Sequence, residues 1–276
     1  RKRGPKYIYN PVQPNKPGLH VINQLPIEQI IDYIDWTPFF HAWELRGSYP
    51  SIIKDGKNIE AVKVFEDGKR MLERIVELDW LSINGVYGFF RAKSTNEKVA
   101  LIDQNIEFSF PRQLVDKSKP NLCLADFISP KGDDYIGLFA VTSGHGLEKI
   151  VYKFEKDLDD YNSIMVKVIA DRLAEAATEW LHEKIRKKDW GYSLQENFNN
   201  NDLIKEKYIG IRPAPGYPSC PDHSEKDKIW KLLDVKNNVG IGLTESRAMD
   251  PASSVCGWYF SHPESRYFSV MKNYII

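Results

Sequence analysis

The segment Arg212–Pro218 combines a planar cation, a restrained backbone and an aromatic ring. Its prolines exclude a helix and a regular central strand. The guanidinium of Arg212 can bind a carboxylate through two parallel hydrogen bonds. Small residues such as Ala214 and Gly216 let backbone groups approach a ligand closely, and Tyr217 adds a flat ring. The segment therefore predicts a site for a small ligand that carries a carboxylate and a flat base.

Two other interpretations compete for these residues. A lone arginine often forms only a surface salt bridge, which remains an alternative for Arg212. The spacing of Cys220 and His223 is compatible with a metal site, but structural zinc needs four ligands and the other cysteines, Cys123 and Cys256, are remote in sequence. We therefore predict no metal site and interpret His223 as a polar residue near the ligand segment or at a partner interface.

Composition predicts a folded chain. With 276 residues, 42% hydrophobic residues and many aromatic side chains, there is enough material for one large domain. The 38 basic and 38 acidic side chains balance, so no overall charge attracts nucleic acid. No apolar run reaches the roughly 20 residues that a membrane-spanning helix needs. Three scattered cysteines are typical of a reducing compartment, and the predicted location is the cytoplasm.

Apolar periodicity predicts a mixture of helices and strands. The helices are expected at Pro26–Ile34, Thr37–Leu45, Ile59–Trp80, Asp159–Lys187 and Asp222–Leu233, and the strands at Gly85–Ala92, Val99–Asp103, Ile106–Phe108, Asp134–Thr142, Ile241–Glu245, Val255–Phe260 and Tyr267–Val270. No regular βαβ repeat and no glycine-rich phosphate loop accompany them. We predict an α+β fold in a single domain, with a twisted antiparallel sheet flanked by helices, and not a Rossmann fold.

The chain starts at a basic, proline-containing stretch without a methionine. We predict that residues 1–17 are a linker, that residues 18–276 form the domain, and that the chain is a fragment of a larger polypeptide; a processed or tagged chain is the alternative.

Several long blocks, in one order along the chain, resemble a known family. They are Ile34–Pro50, Asn121–Pro130, Asp134–Gly144, Met165–Tyr192, Ile211–Lys226 and Glu245–Phe268. The Arg-x-x-x-Gly-Tyr pattern from Arg212 to Tyr217 resembles the signature of the S-adenosylmethionine-binding activation domain of cobalamin-dependent methionine synthase. The resemblance implies the same α+β fold with an antiparallel sheet.

The resemblance also implies ligand contacts, each with a plainer alternative. It places Asp35 at the polar end of the methionine moiety, although an Asp before Thr-Pro is commonly a helix cap. It favours ligand contact for Glu175, which could equally lie on a solvated helix face. It places Tyr267 and Phe268 beside the ligand, where the alternative is an ordinary strand with one aromatic ring in the core.

The remaining implied contacts belong to the proline-rich segment. Arg212 is expected to bind the ligand carboxylate, and the backbone from Ala214 through Gly216 to Tyr217 is expected to bind the adenosine.

The implied function is reactivation of the enzyme. The domain would bind S-adenosylmethionine and supply its methyl group for reductive remethylation of cob(II)alamin, with cobalamin held by a neighbouring domain outside this chain. The implied partners are that cobalamin-binding domain and a flavodoxin-type electron donor, with neither nucleic acid nor membrane. We expect the isolated chain to bind ligand without turnover. There are two alternatives: a free-standing reactivation protein for another corrinoid enzyme, and a docking module without ligand binding.

Overall fold

The computed structural model describes residues 9–114 and 120–270. The strands are β1 Gly18–Ile22, β2 Ser82–Thr95, β3 Lys98–Leu101, β4 Glu107–Ser109, β5 Asp134–His145, β6 Gly242–Leu243, β7 Met249–Asp250 and β8 Ser254–Tyr259. The α-helices are α1 Thr37–Ala42, α2 Ile59–Glu77, α3 Leu147–Lys156, α4 Asp160–Lys184, α5 Asn200–Ile204, α6 Glu225–Leu233 and α7 Val235–Val239. Short 3-10 turns lie at Ile27–Gln29, Ile31–Tyr33, Ser51–Gly56 and Leu124–Phe127, and a π turn at Ile185–Asp189 follows α4.

The main sheet has six strands and is built around the long strand β2. The order is β4-β3-β2-β5-β8, and β1 also pairs with β2. β1 and β3 share the same side of β2, because β1 pairs with residues 85–89 and β3 with residues 92–95. A separate small ladder joins β6 and β7. Every strand pair in the described residues is antiparallel. The predicted fold class is therefore confirmed.

Alternating side chains of the sheet bury two cores, one on each face. In β5, Phe139 and Val141 belong to one apolar cluster, whereas Ile136, Leu138 and Ala140 belong to the other. Successive side chains of a strand point to opposite faces, so these clusters lie on opposite sides of the sheet.

Different helices cover the two cores. α1, α2, α3 and α4 cover the first core, and α6 and α7 cover the second. Both faces of the sheet are thus covered, which explains why β5 is apolar almost throughout.

The long helix α4 starts at a side-chain cap. The Asp159 carboxylate accepts a hydrogen bond from the backbone N–H of Asn162 at 3.1 Å, satisfying one of the amides that a helix start leaves unpaired. The helix buries an almost continuous stripe of apolar residues and then widens into the π turn. No helix in the described part of the chain is both long and apolar enough to cross a membrane.

Most predicted elements are present with shifted ends, two predicted elements differ, and five elements were not predicted: β1, β7, α3, α5 and α7. Pro26–Ile34 forms two 3-10 turns instead of one helix. The chain before Asp159 contains a further helix, α3, that the sequence analysis did not predict. Tyr267–Val270 is not a strand: this stretch lies outside the strands of both sheets.

The described part of the predicted linker packs against the end of α4. The indole N–H of Trp190 donates to the carbonyl of Val12 at 2.8 Å, and the ammonium of Lys16 lies 3.0 Å from the buried carboxylate of Asp189. Residues 1–8 lie outside the described residues, and the boundary at residue 18 stays a prediction.

Candidate functional site

A cleft of about 760 Å³ opens beside β8, at the edge of the main sheet. This size suits a ligand of a few dozen atoms. The described residues that line it are Glu175, Glu206, Arg212, Pro213, Ala214, Pro215, Tyr217, Pro218, Ser219, His223, Lys226, Ala248, Met249, Ser254, Val255, Cys256, Tyr267 and Phe268. The structure thus brings together six of the eight predicted ligand residues and also His223. Gly216 belongs to the loop that lines the cleft but is not itself a lining residue, and Asp35 is absent from the lining.

The loop Arg212–Pro218 reaches the cleft by running along β8. Ile211 and Phe260 exchange two backbone hydrogen bonds, and the N–H of Trp258 donates to the carbonyl of Pro213 at 2.9 Å. Gly257 permits this approach, because a Cβ atom there would lie 2.4 Å from the Pro213 oxygen. The loop is thereby fixed to the sheet by backbone contacts, which explains how a segment without regular structure holds a defined shape.

A tight turn then reverses the loop at Gly216. Gly216 has φ +92°, and its N–H donates to the carbonyl of Cys220 at 2.8 Å. The ring of His223 lies directly against it: a Cβ on Gly216 would be 2.1 Å from His223 Cε1. His223 is held in turn by the ammonium of Lys226, which donates to its Nδ1 at 3.2 Å. Glycine is therefore required here both by the backbone angle and by the close approach of the imidazole.

Three acceptors that are absent from the cleft lining hold Arg212 through a single nitrogen. Its Nη1 lies 2.6 Å from Glu179 Oε2, 2.9 Å from the Tyr208 hydroxyl and 3.3 Å from His182 Nδ1. Burial by itself would lower the pKa of Arg212, but Glu179 and the neighbouring tyrosines outweigh it and raise the pKa well above its ordinary value. Arg212 is thus a permanent cation.

The histidine under Arg212 is neutral. His182 is fully buried, and burial together with the charges of Arg186 and Arg212 holds its pKa well below the ordinary value. Because arginine only donates, Nδ1 of His182 must accept and its proton must be on Nε2, which faces the Tyr192 hydroxyl at 3.4 Å. A neutral ring in this tautomer adds an acceptor beneath Arg212 without adding a repelling charge.

Two acidic residues line the cleft near the arginine. Glu175 projects from α4, one helical turn before Glu179, and Glu206 follows α5. Burial raises the pKa of Glu206, and the charge of Arg212 acts in the opposite direction. Carboxylates beside a guanidinium suit a ligand that carries an ammonium and a carboxylate on neighbouring atoms.

Tyr267 and Phe268 close the cleft from the carboxyl-terminal stretch. The hydroxyl of Tyr267 accepts the backbone N–H of Arg212 at 3.0 Å, and the residue is 39% exposed. Val270 then donates its N–H to the carbonyl of Pro218 at 2.9 Å. These residues reach the cleft as an irregular strap across the loop and not from the predicted strand.

Asp35 lies at the start of α1. Its carboxylate accepts the backbone N–H of Thr37 at 2.9 Å, which closes a local turn just before the helix, and it is absent from the cleft lining. Thr37 itself is the first residue of the helix and not its cap.

The sequence analysis missed several lining residues. Glu206, Lys226 and Cys256 come from separate segments and carry no local pattern that predicts a site. Burial raises the pKa of the Cys256 thiol to about 12, so this side chain is a neutral wall of the cleft. Within residues 9–114 and 120–270, no three His, Cys, Asp or Glu side chains come together in a way that could hold a metal ion.

Comparison with known proteins identifies the family of the chain. A family model for the activation domain of vitamin B12 dependent methionine synthase matches residues 26–274. A crystal structure of the MetH reactivation domain bound to AdoHcy (S-adenosylhomocysteine) is similar with a TM-score of 0.91 and 45% sequence identity. The alignment covers 95% of this chain and 84% of that chain.

An α+β domain with an arginine-bearing, proline-rich loop beside the edge strand of its sheet is thus the class defined by the fold and the cleft. The chain belongs to the family of activation domains of vitamin B12-dependent methionine synthase. It is accordingly a domain of a methyltransferase.

Proposed function

We propose that the cleft binds S-adenosylmethionine and presents its methyl group to a corrinoid carried by another domain of the same enzyme. The observation that carries the proposal is the convergence of Glu175, Arg212, Ala214, Tyr217 and Tyr267 on one cleft. The similar reactivation domain was crystallised with AdoHcy, the demethylated form of this ligand.

The amino-acid end of the ligand belongs at Arg212. The described contacts of its side chain go through Nη1, so Nε and Nη2 can form the paired bonds that a carboxylate accepts. Glu175 and Glu206 are the acidic groups of the lining and suit the ligand ammonium. Asp35 remains proposed as a contact to the polar end of the ligand, in addition to its hydrogen bond with Thr37.

The adenosine is expected to lie along the loop from Ala214 to Tyr217. Gly216 allows its backbone to come close, and Phe268 and Tyr267 provide apolar surface opposite. Tyr217 is 61% exposed at the rim, where a partner domain could cover it. His223 lies beside Tyr217 in the same lining and is proposed as a contact to the corrinoid or its domain.

The chain's contribution to the chemistry is positioning. The sulfonium of S-adenosylmethionine is already an activated methyl donor, so no general base is needed, and holding the methyl group in line with its acceptor lowers the barrier.

We expect the electron for reductive remethylation of cob(II)alamin to come from a flavodoxin-type donor. The isolated chain is expected to bind the ligand without turnover, and its location is expected to be the cytoplasm.

Isothermal titration with S-adenosylmethionine and AdoHcy tests the proposal. Wild type should bind one equivalent of each, and Arg212→Ala should bind at least tenfold more weakly because the carboxylate loses its charged partner. Arg91→Ala is the control, since Arg91 pairs only loosely with Asp103 at 3.6 Å and lies outside the cleft. Equal affinity of Arg212→Ala and Arg91→Ala would refute the assignment of the carboxylate to Arg212.

A further inference from the structure

We propose that Glu179 is a positioning residue that fixes the guanidinium of Arg212, and so sets the preference of the cleft for ligands with an amino-acid carboxylate. This inference rests on the proposed function and extends it to a residue that is absent from the cleft lining.

The first argument is the direction of the contacts. Glu179 Oε2, the Tyr208 hydroxyl and His182 Nδ1 all meet Nη1 of Arg212. A guanidinium is flat and rigid, so fixing one nitrogen from three sides fixes the plane of the whole group. The opposite edge, Nε and Nη2, is then held ready for a carboxylate.

The second argument is that Glu179 is itself held. Only 10% of its side chain is exposed, and its Oε1 lies 3.7 Å from Nη1 of Arg186. Arg186 is fully buried, forms two hydrogen bonds to Glu196 at 2.8 and 2.6 Å, and stacks on the ring of Tyr208 at 3.9 Å. The support under Arg212 is therefore a fixed chain of groups and not a mobile surface pair.

The third argument is charge balance. Arg186 and Arg212 alternate with Glu179 and Glu196, so two positive charges face two negative ones in a buried cluster. Without the carboxylate of Glu179, Arg212 would lie beside a like-charged guanidinium that only Glu196 neutralises. Like charges in a poorly solvated site repel strongly, and Arg212 would leave its present orientation.

Preorganisation is what connects this cluster with affinity. A long side chain that is already immobilised loses little rotamer freedom when the ligand binds, whereas a released arginine must be ordered again. The opposing possibility is that Glu179 competes with the ligand for Arg212, in which case its removal would strengthen binding.

Titration of the full chain with AdoHcy decides between these possibilities. We expect Glu179→Gln to weaken binding about tenfold, which corresponds to about 1.4 kcal/mol. Glu183→Gln is the matched control, because Glu183 lies one turn further along α4 and contacts Tyr33 and Lys187 instead of Arg212. It should change affinity less than twofold. Each titration is made at least 20 °C below the melting temperature of that ligand-free variant, so unfolding cannot account for a loss.

A second ligand separates positioning from a general structural effect. 5′-Methylthioadenosine has the same nucleoside and thioether but no amino-acid group, so Glu179→Gln should leave its affinity within twofold. Unchanged or tighter binding of AdoHcy by Glu179→Gln, or equal weakening for both ligands, would overturn the inference. Failure of the wild-type chain to bind AdoHcy would instead refute the proposed function.

A milder variant covers the case in which Glu179→Gln does not fold. Tyr208→Phe removes one of the three acceptors on Nη1 and leaves the charges in place. It should weaken AdoHcy binding two- to threefold and leave 5′-methylthioadenosine unaffected. An unchanged AdoHcy affinity in this variant would also contradict the inference.

Discussion

Gly216 occupies a backbone conformation that other residues adopt only under strain, and a ring lies where a side chain would go. Its φ is +92°, and an added Cβ would meet the imidazole of His223. We therefore expect Gly216→Ala to displace the loop, to lower the free energy of unfolding by at least about 1–2 kcal/mol, and to weaken AdoHcy binding tenfold or more. Thermal melting and titration calorimetry measure the two effects.

Gly18 offers a matched control for the backbone angle alone. Its φ is +91°, but no atom lies within 4 Å of an added Cβ. Gly18→Ala should therefore show a smaller loss of stability, from the backbone angle alone, with no change in affinity. If both variants bind AdoHcy as wild type does, the close packing of His223 on the turn has no role in binding.

His182 should make the domain sensitive to mild acid. Its pKa is lowered by burial and by two arginines, so below about pH 6.5 the unfolded chain takes up a proton that the folded chain does not. The free energy of unfolding should therefore fall as the pH falls, by up to about 1.4 kcal/mol per pH unit through this group. Urea unfolding between pH 7.5 and 5.5 measures the slope.

The comparison with His182→Asn isolates this contribution. The Asn carbonyl can replace Nδ1 as the acceptor for Arg212 but does not titrate. Other groups shift their pKa too: burial lowers the pKa of His262 to about 4 and raises that of Glu225. They are the same in both proteins, so only the difference between the two slopes reports on His182. Equal slopes would show that His182 protonates without cost.

The sequence pointed to the loop Arg212–Pro218, which lines the cleft, but not to the residues that support it. Arg212, Gly216 and Tyr217 form a local pattern, which is why their types and spacing were informative. Glu179 and Glu206 reach the site only through the packing of α4 and of the chain after α5. A charged residue in a long helix is usually solvated, and nothing in the local sequence separates the two cases.

Strand β8 positions the loop through a glycine. An added Cβ at Gly257 would lie 2.4 Å from the Pro213 carbonyl oxygen, too close for any real contact. We expect Gly257→Ala to separate the loop from the strand, to break the hydrogen bond from Trp258 to Pro213, and to lower both stability and affinity for AdoHcy. Melting should show a loss of about 1–3 kcal/mol in the free energy of unfolding, and titration should show weaker binding of AdoHcy.

Gly242 in β6 is the control for a strand glycine. Its nearest neighbour would be the Asp250 carbonyl oxygen at 3.7 Å, an ordinary contact distance. Gly242→Ala should leave AdoHcy affinity unchanged. Wild-type affinity in Gly257→Ala would mean that the loop finds its shape without the sheet.

The helices show where sequence periodicity reaches its limit. The apolar stripe of α4 predicted a long helix correctly. The neighbouring α3 was missed because the break between it and α4 lies at Leu158, which adopts a left-handed φ of +57° without the glycine or proline that usually marks such a break. The predicted strand Tyr267–Val270 was wrong because its aromatic residues pack across a loop. No neighbouring strand pairs with this stretch, so the strand preference of its residues has no effect.

The whole domain should unfold as one unit, because both cores share the main sheet. Leu173 in α4 and Leu233 in α6 are fully buried on opposite faces. Leu173→Ala and Leu233→Ala should each lower the free energy of unfolding by about 2–5 kcal/mol. In both variants, circular dichroism and tryptophan fluorescence should report the same midpoint. Separate transitions in either variant would contradict a single cooperative unit.

The loop Arg212–Pro218 also covers the outer edge of β8. An uncovered edge strand presents unpaired amide and carbonyl groups that invite pairing with another molecule. Pro213 of the loop and Ile211 just before it bond to Trp258 and Phe260, and so occupy backbone groups that would otherwise be open to self-association. Substitutions that release the loop should therefore cost solubility as well as affinity, and selection against aggregation would preserve the shape of this segment even where ligand binding is relaxed.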